Sequence, residues 1–73
     1  MIRDIEIKDE AQVRRINQLA SEAPYEVWLS TDTLMLDARS LLGLFALIGQ
    51  RARVVAEDDV NPRNFRRLVE QMA

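Results

Sequence analysis

No histidine and no cysteine occur in this chain, and each absence removes a class of chemistry. Without thiols there is neither a disulfide framework nor a thiolate metal site. With imidazole missing too, zinc, copper and haem lose their ordinary protein ligands, and the commonest general base near neutral pH is gone. There are only two glycines, two prolines and four aromatic residues, so neither a glycine-rich ligand turn nor the aromatic interleaving of a nucleic-acid surface is present. The formal net charge is −2, whereas nucleic-acid binding calls for a basic domain. Nucleic acid is therefore not an expected partner. The opening residues lack the long apolar run of a signal peptide or membrane span, so no membrane partner is expected and the expected location is the cytoplasm.

The 73 residues present suffice for a single domain spanning 1–73 with one core, since chains of this size bury only about 60% of the surface they expose when unfolded. With 48% apolar and 30% charged residues, the composition is that of a folded domain rather than a disordered one.

Residues 2–7 alternate, with Ile5 and Ile7 on one face, and read as a half-buried strand. Asp9 is a suitable N-cap, and Gln12 stands three residues later as in a capping box. Val13, Ile16, Leu19 and Ala20 then recur at helical spacing. This predicts a helix from Glu10 to Glu22, stopped by Pro24. Tyr25, Val27 and Leu29 alternate with polar neighbours, Thr31-Asp32 supplies a turn, and residues 33–37 place Leu34 and Leu36 on one face, which predicts a hairpin. Ser40 precedes the apolar run from Leu41 to Ile48, which stops at Gly49, so cap, helix and terminating glycine stand in order. Residues 51–57 alternate through Ala52, Val54 and Ala56. Asn61-Pro62 then opens a final helix with Phe65, Leu68, Val69 and Met72 on its apolar stripe. The order is β-α-β-β-α-β-α. Four strands and three one-sided helices are best satisfied by an α+β two-layer sandwich with all helices on one sheet face. The opposite face, carrying Trp28 and Met35, is left to solvent or a partner.

The element order, together with the string Asp37-Ala38-Arg39-Ser40-Leu41-Leu42-Gly43-Leu44-Phe45-Ala46-Leu47, resembles the HPr phosphocarrier family. That family's regulatory segment runs small or polar residue, Lys or Arg, Ser, two aliphatics, Gly, aliphatic, Met or aromatic, small residue, Leu. The resemblance implies the open-faced HPr sandwich, with a four-stranded antiparallel sheet in which the first strand lies beside the fourth.

The family's phosphorylation box, Gly-aliphatic-His-Ala-Arg-Pro-Ala, falls by spacing on residues 7–13. Asp9 occupies the phosphohistidine position, Ala11 that of the arginine and Gln12 that of the proline. The nucleophilic ring and the guanidinium that would neutralise an incoming phosphoryl group are thus both missing. In this respect the chain is similar to the catabolite-repression HPr-like proteins, which also lack the histidine. Ser40 matches the serine that a kinase/phosphorylase modifies in that group, and the modified form is read by a transcriptional regulator. Through the resemblance, the implied partners are therefore an enzyme of the HPr kinase/phosphorylase kind or such a regulator.

Each of these residues also has a plainer explanation. Ser40 is a normal N-cap, worth about 1 kcal/mol over alanine, and Asp9 is another. An aspartyl phosphate needs further carboxylates around magnesium, and only Glu10 stands close in sequence. The short helix is more apolar than one buried face requires. Leu42 and Leu47 are expected in the core, and Leu41, Leu44 and Phe45 at a contact surface with Arg39, Arg14 and Arg15. The arginines of the last helix are expected on a solvated face. The resulting expectation is a non-enzymatic regulatory or docking protein acting through the Ser40 helix, with no cofactor and no metal, since no nucleophile–base pair can be assembled. Two alternatives stand beside it: an unmodified HPr-like scaffold or oligomer subunit, and an ACT-like small-molecule-binding module.

Overall fold

A computed structural model describes all of residues 1–73. The elements are β1 (Ile2–Glu6), α1 (Glu10–Glu22), β2 (Trp28–Ser30), β3 (Met35–Asp37), α2 (Leu41–Phe45), β4 (Arg51–Val55) and α3 (Pro62–Met72). One four-stranded sheet has the order β1-β4-β2-β3, and every neighbouring pair is antiparallel. The first strand therefore lies beside the fourth, as the resemblance implied. No helix is long and apolar enough to cross a membrane.

Strand alternation decides which side chains enter the core. Ile5, Leu29, Ala52 and Val54 point to the helix-covered face and join a single apolar cluster with Val13, Ile16, Leu44, Leu47, Phe65 and Met72. The other face is open. Across it Ile2, Val55, Trp28 and Asp37 stand in one row, with Ile2 60% and Met35 57% exposed.

Helix α1 has the predicted bounds, and Asp9 caps it by accepting the Gln12 N–H at 2.9 Å. The capping box itself is displaced by one residue. The Gln12 side chain reaches the Lys8 N–H (2.8 Å) instead of that of Asp9, and its Nε2 donates to the carbonyl oxygens of Glu6 (2.8 Å) and Met72 (3.1 Å). The buried amide is thereby fully employed, tying the end of β1, the start of α1 and the end of α3 together. Asn61 accepts from Arg63 and Asn64 at the start of α3, whose four predicted apolar positions are all buried.

Three expectations need correction. The hairpin strands are shorter than the alternation suggests. Thr31 donates to Leu34 O at 2.7 Å, which makes residues 31–34 the turn, and Leu34 is consequently exposed rather than paired with Leu36 on the core face. The central helix ends at Phe45, not before Gly49, because Ala46, Leu47 and Ile48 donate to the carbonyls three residues back, the tighter winding of a 3₁₀ turn. Gly49 then reverses the chain at φ 91°. Finally, Leu42 and Leu44 exchange their expected roles: Leu42 is 85% exposed and Leu44 is 1% exposed. Residues 41, 44 and 45 share the inner side of one helical turn, which leaves Leu42 pointing outward.

Candidate functional site

Asp9, which the sequence resemblance set at the phosphohistidine position, is a carboxylate already in use. Asp9 is exposed, but its Oδ1 accepts the Gln12 N–H, and neighbouring Glu10 pairs with Arg14 at 3.1 Å. No three carboxylates of the chain gather closely enough to hold a metal ion. The start of α1 is thus a satisfied helix cap carrying one ion pair.

Ser40 is placed differently. It stands at the N-cap position of α2, with its carbonyl accepting the Leu44 N–H at 3.0 Å and its own N–H donating to Asp37 O at 2.9 Å. Its side chain is exposed and makes no capping hydrogen bond, so the expected cap interaction is absent. The hydroxyl instead lies over Gly43, where an added Cβ would come within 3.2 Å of Oγ. Ser40 therefore presents an unengaged hydroxyl at the surface.

The arginine beside it is not free. Arg39 makes ion pairs with Asp37 (2.8 Å) and Glu26 (3.0 Å), and its N–H donates to Asp37 Oδ1 at 2.8 Å. These contacts are reciprocal: the Arg39 hydrogen bond holds the Asp37 carboxyl below its ordinary range, and Asp37 raises the Arg39 guanidinium in turn.

The residues expected at the contact surface are only partly brought together. Leu41 and Phe45 are half-buried, and the Arg14 guanidinium lies 5.6 Å from the centre of the Phe45 ring. That distance joins α1 to α2 through a cation–π contact. Leu44 cannot take part in surface contact, because burial removes it. Arg15 faces the opposite way, donating to the carbonyls of Gln71 (2.9 Å) and Ala73 (3.2 Å) at the end of α3. Leu42, expected in the core, joins the surface instead. Each of the eight residues from 41 to 48 except Gly43 is apolar, so the sequence carries no phase information from which its orientation could be read. The resulting patch is Arg14, Leu41, Leu42 and Phe45 beside the Ser40 hydroxyl.

Sequence reasoning also missed a polar groove of about 410 Å³ at one end of the open face, lined by Asp4, Thr31, Asp32, Thr33, Arg51 and Arg53. Arg53 there is paired with Asp32 at 3.0 Å, so the opposite charges in the groove largely answer one another. The signal for it was the Arg51 and Arg53 alternation, which pattern analysis reads only as the solvent side of a strand.

No family model matches the chain, and no curated protein matches it in sequence. Solved structures do match. HPr-C-His from Thermoanaerobacter tengcongensis is 24% identical, with a TM-score of 0.75 over 99% of this chain and 90% of that one. A phosphocarrier protein HPr from Bacillus anthracis str. Ames is 13% identical, with a TM-score of 0.73 over 97% and 94% of the two chains. The chain has the HPr fold.

Proposed function

We propose that this chain is a regulatory docking protein built on the HPr fold, that it passes no phosphate through α1, and that it receives its signal by phosphorylation of Ser40. The observation that carries the reading is the exposed, unengaged Ser40 hydroxyl beside the apolar patch of Leu41, Leu42 and Phe45. At the other candidate position, Asp9 has no ring nitrogen to accept phosphate and already caps its helix.

A phosphate on Ser40 adds about two negative charges next to that patch. The N–H groups of the first turn of α2 have no carbonyl partners within the helix and are available to it. Arg39 is the adjacent cation, and a phosphate has to compete for it with Asp37 and Glu26. Modification thus changes both the charge and the local pairing at the rim of an apolar surface. A partner with a basic rim and an apolar groove reads that change.

Incubating the protein with a purified HPr kinase and ATP, followed by intact-mass measurement, tests this reading. One phosphate on the wild type and none on Ser40→Ala supports it; an unmodified wild type sinks it. In that event the 85% exposure of Leu42 favours a second reading, in which α2 is a constitutive interface, and a change of gel-filtration volume on Leu42→Asp would support it.

A further inference from the structure

Four of the nine arginines are held by partners within the chain: Arg14, Arg39 and Arg53 in ion pairs, Arg15 on the carbonyls that end α3. Arg63, Arg66 and Arg67 have no such partner, and all three lie on the exposed side of α3 within little more than one turn. Of the six cationic side chains without an internal partner, Arg3, Lys8, Arg51, Arg63, Arg66 and Arg67, three stand together on this helix. Beside that helix runs a groove of about 240 Å³, between α3 and the end of α1. Its floor is apolar, formed by Leu19, Tyr25 and Leu68, and its α3 rim carries Asn64, Arg67 and Gln71.

Cavities that enclose small molecules are usually about 300–1,000 Å³, so this shallow groove suits one large side chain better than a cofactor. The three rim side chains make no hydrogen bond of their own within the protein, so guanidinium and amide donors line the α3 side of an apolar floor. Glu22, on the facing side, is engaged by Gln18 at 3.4 Å. Partial burial raises the Tyr25 pKa and keeps its phenol a donor. We propose that this groove docks a short acidic segment of a partner protein, with one bulky apolar side chain on the floor and carboxylates on Arg67 and Arg63.

Charge favours a short segment over a long polyanion. Glu57 and Asp59 lie shortly before α3, and Asp58 between them is paired with the N-terminal ammonium; the two free carboxylates disfavour a nucleic-acid strand continuing past the arginines, and Tyr25 alone is no stacking platform. α1 packs against both α2 and α3, with Arg14 turned toward α2 and Arg15 toward α3. The groove therefore lies across α1 from Ser40, and the inference is independent of what happens at Ser40.

The test is a titration of ¹⁵N-labelled protein, followed by amide chemical shifts, with the capped heptapeptide Glu-Glu-Asp-Phe-Glu-Asp-Glu. Saturable shifts confined to residues 19–25 and 63–71 are expected. Arg63→Glu with Arg67→Glu should weaken binding about tenfold, and Arg51→Glu, on the open sheet face, by less than about twofold. Replacing the peptide's phenylalanine by serine should also weaken binding. Absence of saturable shifts, equal weakening by Arg51→Glu, or tighter binding of an oligothymidylate than of the peptide would overturn the proposal.

Discussion

Gln12 Nε2 donates to the carbonyl oxygen of Met72 at 3.1 Å, a contact between residues 60 positions apart that closes the first helix onto the last. The same side chain accepts from Lys8 and donates to Glu6. It is 4% exposed and the only buried polar residue in the chain. Gln12 is thereby the knot of the helical layer.

Gln12→Ala strips partners from one backbone N–H and two carbonyls, so a loss of about 2–3 kcal/mol is expected. In a domain this small that lowers the melting temperature by roughly 10–20 °C. Thermal unfolding followed by circular dichroism checks it, and a shift of only a degree or two would show that water replaces the amide at little cost.

The leucines of α2 should separate cleanly. Leu44→Ala removes a side chain at 1% exposure and is expected to cost about 2–5 kcal/mol. Leu42→Ala should stay within about 0.5 kcal/mol of wild type. Urea titration of both variants decides, and comparable losses would mean that Leu42 is buried in solution.

The two glycines should respond in opposite directions. At Gly49 a Cβ meets nothing within 4 Å, but φ is 91°, so Gly49→Ala pays a backbone penalty of about 1–2 kcal/mol. Gly43 lies within α2, and alanine there gains up to about 1 kcal/mol of helix propensity. Its Cβ would approach Ser40 Oγ at 3.2 Å and Leu36 Cδ2 at 3.4 Å, and the hydroxyl has no hydrogen bond to lose by turning aside. Denaturation midpoints above wild type for Gly43→Ala and below it for Gly49→Ala are the expected outcome.

Asp37 gives a pH dependence of known sign. Its carboxyl titrates below the ordinary value of 3.8, chiefly because Arg39 hydrogen-bonds to it. Its contribution to stability is therefore complete above that value and is lost as pH falls through the lower folded-state value. Arg39→Gln should return the Asp37 titration, followed by carboxyl-carbon NMR, toward 3.8, and should flatten the acid limb of the stability profile. An unchanged titration would show that Arg39 does not hold the carboxylate in solution.

Much of the architecture was legible because most elements contrast apolar with polar positions. Ile5 and Ile7 alternate with charges, and Phe65, Leu68, Val69 and Met72 sit among arginines, so one face is marked at each step. The stretch from Leu41 to Ile48 lacks that contrast, and there the burial pattern went wrong. Capping was readable where a side chain's options were few, as at Asp9 and Asn61. It failed at Ser40, whose hydroxyl lies over Gly43 instead of meeting a first-turn N–H. Arg39 shows a further limit: its nearness to Ser40 was plain, whereas its capture by Glu26 depends on how the chain folds back from β2 to α2.

Trp28, half-buried between Val55 and Asp37 on the sheet face that no helix covers, is the only indole in the protein. Its emission is thus a built-in optical gauge of a single surface. Unfolding, or a molecule settling on the bare side of the sheet, is expected to alter its colour and intensity.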